Sequence, residues 1–151
     1  MAKFIYRMQS ILDIKVKLET QARMQFATAK HALDEEEEKL AELERRKEAY
    51  MEEARKSRHN VLNVRTLRDS KTALQTMDDF IVTQKEQVAL ATEKMEEARA
   101  QLEELMKERK THEKLREKAF DEFKAELNHT ESKEVDELTS YTYGQKRAGN
   151  R

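Results

Sequence analysis

The chain has 151 residues, of which 40% are charged and 37% are hydrophobic, and its formal net charge is −1. It contains no proline, cysteine or tryptophan, and its two glycines, Gly144 and Gly149, both lie near the C-terminal end. These counts exclude a disulfide framework, a cysteine-based metal site, a thiol nucleophile and a general polyanion binder. Because globular folds need Gly and Pro in their turns, this composition is typical of long helices or a coiled coil.

A disordered chain is the competing interpretation, since high charge and low hydrophobicity also mark disorder. The absence of proline and the regular spacing of the apolar residues favour helices instead.

The first predicted element is a helix over about residues 3–58. Its apolar residues recur at steps of mostly three and four, as one face of a helix requires. They are Phe4, Met8, Ile11, Leu18, Ala22, Phe26, Ala29, Leu33, Leu40, Leu43, Tyr50 and Ala54. Two consecutive steps of four, from Leu18 to Ala22 to Phe26, predict a stutter that locally unwinds a supercoil.

A turn region follows over about residues 59–70. The stretch from Ser57 to Ser70 is rich in Asn, Ser, Asp and β-branched residues, which form helices less readily than the flanking Glu, Lys and Ala. Asp69 or Ser70 is the expected cap of a second helix.

The second predicted helix covers about residues 71–130 and carries a regular heptad seam. The seam positions are Leu74, Met77, Ile81, Gln84, Val88, Ala91, Met95, Ala98, Leu102 and Leu105. Beyond Leu105 the same register meets Arg109, His112 and Arg116. We therefore expect the apolar stripe to move to Leu115 and to continue through Ala119, Phe123 and Leu127.

The predicted fold is all-α, a long two-helix antiparallel coiled-coil hairpin that forms a single domain over residues 1–151. Folding the chain at residue 63 or 64 pairs Met8 with Ala119 and Tyr50 with Met77. It also gathers aromatic side chains at the open end, namely Phe4, Tyr6, Phe120 and Phe123. Residues 131–151 are expected to form a flexible or partner-ordered tail. A parallel homodimer of one long helix is the structural alternative, and the weakened seam near the turn counts against it.

No motif in the chain predicts catalysis, a cofactor or a metal site, so we expect no enzyme. The four histidines, His31, His59, His112 and His129, lack the spacing of metal ligands. No glycine-rich phosphate loop is present. The acidic run Asp34–Glu38 is read either as a solvated stretch or as a surface for a basic partner.

Charge is unevenly distributed along the first half of the chain. Residues 1–30 carry six basic and two acidic side chains, whereas residues 31–60 carry seven basic and ten acidic ones. This is either ordinary surface variation or a basic end that docks into an acidic partner. Nucleic acid is not expected as a partner, because a DNA-binding basic region would be denser in Lys and Arg.

Two segments carry a resemblance to a known family. The first runs from Phe4 to Lys15 as FIYRMQSILDIK, followed by Leu18 and Glu19. The second, Glu131–Leu138, reads ESKEVDEL. These segments resemble the flagellar type III export protein J (FliJ) family. The shared features are an aromatic-x-aromatic pair, a basic residue, an apolar-Gln pair and a later apolar-Asp-Glu core. The resemblance spans essentially the whole chain.

The resemblance implies a soluble component of the flagellar export apparatus, peripheral at the cytoplasmic face of the membrane. Family members form a hairpin similar to the central stalk of rotary ATP synthases. They bind the export ATPase ring, promote its hexamer, couple it to the membrane export gate and bind export chaperones. The resemblance implies neither nucleic acid nor a small-molecule substrate, and self-association stays open.

The resemblance also assigns residues. The implied ATPase-binding set is Phe4, Tyr6, Arg7, Gln9, Leu12, Lys15, Asp136 and Glu137. The implied export-gate set is Leu43, Tyr50, Met77, Phe80 and Gln84. The chain departs from the family's basic tail, since Tyr141, Tyr143 and Gly144 intervene before Lys146.

A generic coiled-coil scaffold or a prefoldin-like holdase is the alternative function. Such a protein would bind unfolded clients without stimulating an ATPase. Its exposed apolar tip would come from Val61, Leu62, Val64 and Leu67.

Overall fold

The computed structural model describes residues 2–59, 61 and 63–149 of the chain. It contains two long helices, α1 (Gln9–Arg58, 50 residues) and α2 (Val64–Gly149, 86 residues). No strand occurs among the described residues. The absence of proline lets each helix run without a break. The predicted all-α fold built on two long helices is confirmed.

The contacts of the chain group into two units. The terminal unit joins Met1–Leu18 to Leu105–Arg151, and the hairpin unit is Glu19–Glu104. In the terminal unit α1 runs antiparallel to α2, because Gln9 contacts Arg116 while the later Lys15 contacts the earlier Glu108.

The hairpin unit has the same antiparallel arrangement. Phe26 lies against Arg99, Glu36 against Gln84, and Lys47 against Asp78. The residue numbers of the contact partners on α2 therefore fall as the residue numbers on α1 rise. The antiparallel pairing predicted for the two helices is confirmed.

The turn between the helices is shorter than predicted. Asn63 caps α2, since its side-chain Oδ1 accepts the Arg65 N–H at 3.0 Å and its carbonyl accepts the Leu67 N–H at 3.0 Å. Residues 64–70 of the predicted turn region belong to α2, so the predicted caps Asp69 and Ser70 are wrong, whereas Asn60 and Leu62 lie outside the described residues. A well-placed Asn at the N-cap outweighs the weaker helix propensity of the residues that follow.

The N-terminal boundary of α1 also differs from the prediction. The helix begins at Gln9 rather than near residue 3, and residues 2–6 have no regular structure. The Gln9 N–H donates to the Tyr6 carbonyl at 3.1 Å, which closes a turn before the helix starts. This non-helical segment, residues 2–8, is called the lead-in below.

α2 continues well beyond its predicted end at about residue 130. It extends to Gly149, and its residues 131–149 are all exposed. The predicted end of the helix near residue 130 is therefore wrong, whereas the expectation of a flexible or partner-ordered tail stays a prediction; Asn150 and Arg151 lie outside the described residues. Gly144 stays inside the helix without a positive φ. Local bonds support this stretch, including one from the Gln145 amide to the Tyr141 hydroxyl at 2.8 Å.

The predicted seam of α2 is accurate up to Leu105, because every position from Leu74 to Leu105 in that series is buried or half-buried. The predicted shift to Leu115 is wrong: that side chain is 47% exposed. Arg109 and His112 are half-buried in its place. The heptad register continues, and the aliphatic stem of Arg109 can line the seam while its guanidinium donates to Glu113 at 2.8 Å.

The stutter predicted in α1 is wrong for a similar reason. Leu18 is 37% exposed, whereas Glu19 is buried with 4% exposure. The steps from Glu19 to Ala22 to Phe26 therefore keep the heptad alternation of three and four. The Glu19 carboxylate accepts a bond from Arg23 at 2.8 Å, so its charge is paired where it is buried.

The apolar core is narrow. The buried hydrophobic residues are Leu12, Ala22, Leu33, Ala54, Met77, Ile81 and Met95. Between them lie half-buried polar side chains, so polar pairs as well as apolar contacts fix the register.

Candidate functional site

An aromatic cluster holds the lead-in against α2 in the terminal unit. The Phe4 ring meets Phe120 at a centroid distance of 5.1 Å and an interplanar angle of 69°, and Phe123 at 5.4 Å. Edge-to-face pairs of this kind contribute about 0.5–1.5 kcal/mol beyond their buried area. Three of the four aromatics expected at this end therefore come together, and they fasten a segment that has no regular structure of its own.

Arg116 connects this cluster to the start of α1. Its guanidinium carbon lies 5.6 Å from the centroid of the Phe4 ring, and its Nε donates to Gln9 Oε1 at 2.9 Å. The Gln9 amide in turn donates to Asp13 at 3.0 Å. Sequence reasoning missed this role, because Arg116 looked like an interruption of the apolar seam.

The next layer of the terminal unit combines a buried apolar residue with an ion pair. Leu12 is buried. The Lys15 ammonium lies 2.9 Å from Glu108 Oε2, and both side chains are partly shielded from solvent. Lys15 is thus engaged within the chain, and Glu108 is a second residue that sequence reasoning missed.

The remaining lead-in residues differ in how accessible they are. Tyr6 is half-buried, and its hydroxyl oxygen is buried without a hydrogen-bond partner among the described residues. Leaving a buried hydroxyl unpaired costs about 1–3 kcal/mol. Lys3, Ile5 and Arg7 are exposed, with Ile5 at 79%. We call the six residues from Phe4 to Lys15 implied by the resemblance, together with exposed Lys3 and Ile5, the terminal docking surface.

Asp136 and Glu137 lie apart from the aromatic cluster along α2. Both are exposed, and neither has a hydrogen bond or ion pair with another described residue. They follow Phe123 by more than three helical turns, which is about 20 Å along the helix axis. Within the chain they form a separate acidic stretch.

The five residues implied for export-gate binding do not form one surface. Met77 is buried in the seam and Leu43 is half-buried, whereas Tyr50 is 44% and Phe80 is 54% exposed. Leu43 and Gln84 line one groove of the hairpin unit. Tyr50 lines another groove, and Phe80 lines neither.

Gln84 serves as a cross-helix clamp. Its amide nitrogen donates to the Glu36 carbonyl at 2.9 Å and to Glu36 Oε2 at 2.5 Å. The bond from Gln84 lowers the pKa of the Glu36 carboxyl, and nearby Lys39 lowers it further. In the same groove a hydrogen bond from Arg45 lowers the pKa of Glu42.

Among residues 2–59, 61 and 63–149, no group of three or more His, Cys, Asp and Glu side chains is arranged to hold a metal ion. No helix in these ranges has an apolar stretch long enough to cross a membrane. The features that stand out are surfaces and grooves along paired helices. They define an antiparallel two-helix coiled-coil protein.

The family model described as "Flagellar FliJ protein" matches residues 4–148. The chain belongs to this family, and the resemblance read from Phe4–Lys15 and Glu131–Leu138 is confirmed. No curated protein and no solved structure matches the chain. The family is a non-enzymatic part of the flagellar protein export apparatus at the cell-membrane base, and this chain is a component of that apparatus.

Proposed function

We propose that the chain binds the ring of the flagellar export ATPase through its terminal docking surface and promotes assembly of the hexamer. One observation carries the proposal. Phe4 is fixed by Phe120, Phe123 and Arg116, and the fixed lead-in presents an exposed Ile5 between the cations Lys3 and Arg7.

Preorganisation is the physical advantage of this arrangement. A non-helical segment already held in one conformation loses less entropy when it binds than a free terminus would. Residues 1–30 carry an excess of four positive charges, from six basic and two acidic side chains. Such an excess accelerates encounter with an acidic partner surface.

The residues of the terminal docking surface have different roles in this proposal. Arg7 and Ile5 contact the partner directly. Phe4, Gln9 and Leu12 hold the lead-in in place, and Lys15 maintains the register through Glu108. Tyr6 contacts the ring through the exposed part of its half-buried side chain.

Asp136 and Glu137 supply a second, acidic contact to the ATPase in this proposal. They project from a part of α2 that is exposed on every side from residue 131 to residue 149.

For coupling to the membrane export gate, we propose contacts by Tyr50 and Phe80, which are the two exposed aromatics of the implied set. Leu43, Met77 and Gln84 act by shaping the helix pair beneath them. Export chaperones complete the proposed partners, and the proposed location is the cytoplasmic face of the cell membrane at the flagellar base.

The decisive experiment measures ATP hydrolysis and ring formation by the export ATPase from the same source, with stoichiometric amounts of this chain. We expect faster hydrolysis together with hexamers. Arg7→Ala should weaken binding without changing helicity, whereas Arg68→Ala, at an exposed arginine of the hairpin unit, should have no effect. No stimulation by well-folded protein would refute the proposal.

A holdase function is the second candidate, favoured by apolar exposure at the turn. Val61 is 95% and Val64 is 67% exposed, and Leu67 is half-buried. Leu62 lies outside the described residues. A holdase would suppress aggregation of an unfolded client without any ATPase present, and Val61→Ser with Val64→Ser should abolish that suppression.

A further inference from the structure

The hairpin unit carries a groove that none of the proposed contacts uses. It runs between α1 and α2, from Met24 to Glu36 on the α1 side, and has a volume of about 530 Å³. At about 1.5 Å per residue this stretch is roughly 18 Å long, or about three helical turns. We call it the lateral groove. Its length and its open side suit a helix better than a compact small molecule.

Small and apolar side chains form the lateral groove. Ala29, Ala32 and Ala91 line it, and Met24 and Leu90 flank it with exposures of 67% and 51%. Alanines let another helix approach closely, because the distance between packed helices depends on the side chains at their contact. Two large apolar side chains beside such a floor would gain buried area from an incoming helix.

Two polar groups that line the groove, those of Thr28 and Glu36, already have hydrogen-bond partners. The Thr28 hydroxyl donates to the Met24 carbonyl at 2.9 Å. The Glu36 carboxylate, at one end of the groove, accepts its bond from Gln84. A helix that covers this floor therefore leaves no buried donor or acceptor of these groups unpaired, and that penalty is avoided.

The α1 stretch beside the lateral groove carries more carboxylates than cations, although Lys39, Arg45 and Arg46 line the adjoining groove. Residues 31–42 include six acidic side chains and one basic side chain. Glu35, Glu38 and Glu42 line the adjoining groove on α1. The α2 stretch 87–92 carries no charge at all, and Lys94 is the cation that lines the groove on the α2 side. Lys39 pairs with Glu36, and Arg45 and Arg46 pair with Glu42, whereas Glu38 has no ion pair with another described residue.

We propose that the lateral groove binds an amphipathic helix of a partner protein, one that carries small or medium apolar residues on one face and Lys or Arg beside them. The apolar face covers Ala29, Ala32 and Ala91. The basic residues lie toward Glu35 and Glu38. The groove belongs to the hairpin unit, so this proposal does not depend on the terminal docking surface.

The apolar and acidic parts of the site have separable effects. Burial of Met24 and Leu90 sets most of the affinity, whereas charges at the edge of an interface mainly set the association rate and the choice of partner. Binding should therefore weaken with added salt without disappearing.

The test uses the full chain and a fluorescent 18-residue helical peptide with Leu and Ala on one face and Lys on the flank. A second peptide with Glu in place of each Lys is the matched probe. We expect fluorescence anisotropy to show clearly tighter binding of the basic peptide than of the acidic one. Ala32→Arg should abolish binding, because it fills the groove and adds a repelling cation at an exposed position.

Two pairs of variants separate the contributions. Leu90→Ala should weaken binding about tenfold, whereas Val82→Ala, at a 58% exposed valine that does not line the groove, should leave it unchanged. Glu38→Lys should weaken binding more than Glu37→Lys, although both change the net charge equally. Circular dichroism should show the same helicity for all variants.

Three results would overturn the proposal. They are equal binding of the acidic peptide, unchanged binding by Ala32→Arg, and concentration-dependent dimerisation in sedimentation that Ala32→Arg removes. The last would assign the groove to a second copy of the chain. Because Ala32→Arg leaves the lead-in intact, its stimulation of the export ATPase should be normal, which separates this test from that of the proposed function.

Discussion

Replacing His112 by leucine should stabilise the protein, because His112 occupies a seam position that the sequence pattern assigns to Leu115. His112 is half-buried, and its Nδ1 is buried without a hydrogen-bond partner among the described residues. Leu115 is 47% exposed. The variant His112→Leu thus removes an unpaired polar atom and adds apolar volume at the interface between α1 and α2.

Two contributions set the change in the free energy of unfolding, namely the loss of the unpaired polar atom and the gain of buried apolar volume. An unpaired buried polar atom costs about 1–3 kcal/mol, and full burial of a leucine side chain gains about 1.5–3 kcal/mol. Because the site is only half-buried, and fitting a differently shaped side chain has a cost, we expect a net gain of about 1–2 kcal/mol. For a chain of this length the midpoint of thermal unfolding should rise by a few degrees.

Urea unfolding followed by circular dichroism at 222 nm measures the change in the free energy of unfolding. Two control variants calibrate it. Leu105→Ala, at a half-buried seam position, should cost about 2 kcal/mol or more, whereas Leu115→Ala should cost less than 1 kcal/mol. If His112→Leu destabilises the protein while Leu115→Ala costs as much as Leu105→Ala, the seam runs through Leu115 and our assignment of the register is incorrect.

Three further predictions concern local features. Asn63→Ala should lower the free energy of unfolding by about 0.5–2 kcal/mol in urea titrations, because it removes the cap of α2, and Asn63→Gly should cost only a few tenths. Arg116→Ala should speed amide hydrogen exchange in the lead-in around Phe4 while exchange in the hairpin unit stays unchanged; equal acceleration in both would contradict a local role. The pKa of Glu36 lies below its ordinary value of 4.5, chiefly because of the bond from Gln84, so its contribution to stability is complete above that pH and is lost as the pH falls through the lowered pKa. Carboxyl NMR titration should find a higher Glu36 pKa in Gln84→Leu, and an unchanged value would show that another group controls it.

The sequence predicted the helices best where apolar residues alone occupy the seam. The series from Leu74 to Leu105 follows heptads without error, and the structure places every member inward. The pattern failed where a charged or polar residue takes a seam position, as Glu19, Arg109 and His112 do. A pattern that assigns every polar residue to the exposed face of a helix misses the polar residues that lie in the seam. A charged residue can occupy the seam when a partner pairs with it, as Arg23 does with Glu19, and such a pairing depends on side-chain geometry.

Helix ends were harder to predict for a different reason. α2 begins at Val64 because the side-chain oxygen of Asn63 accepts a backbone N–H, and many residues between Ser57 and Ser70 could have capped the helix in the same way. At the terminal docking surface, the aromatic cluster around Phe4 could be read from the register. The contributions of Arg116 and Glu108 could not, since they depend on contacts between residues far apart in the chain.

The distances in sequence between contacting residues suggest an order of folding. Gln84 and Glu36 are 48 residues apart, whereas Lys15 and Glu108 are 93 apart and Gln9 and Arg116 are 107 apart. Helices joined by a short turn can pair progressively away from that turn, so that each new contact closes only a small additional loop. The contacts of the lead-in then form last and open first. Brief opening at this end, detectable by native-state exchange, would free the rings of Phe4, Phe120 and Phe123 at little cost while the pairing nearer the turn persists.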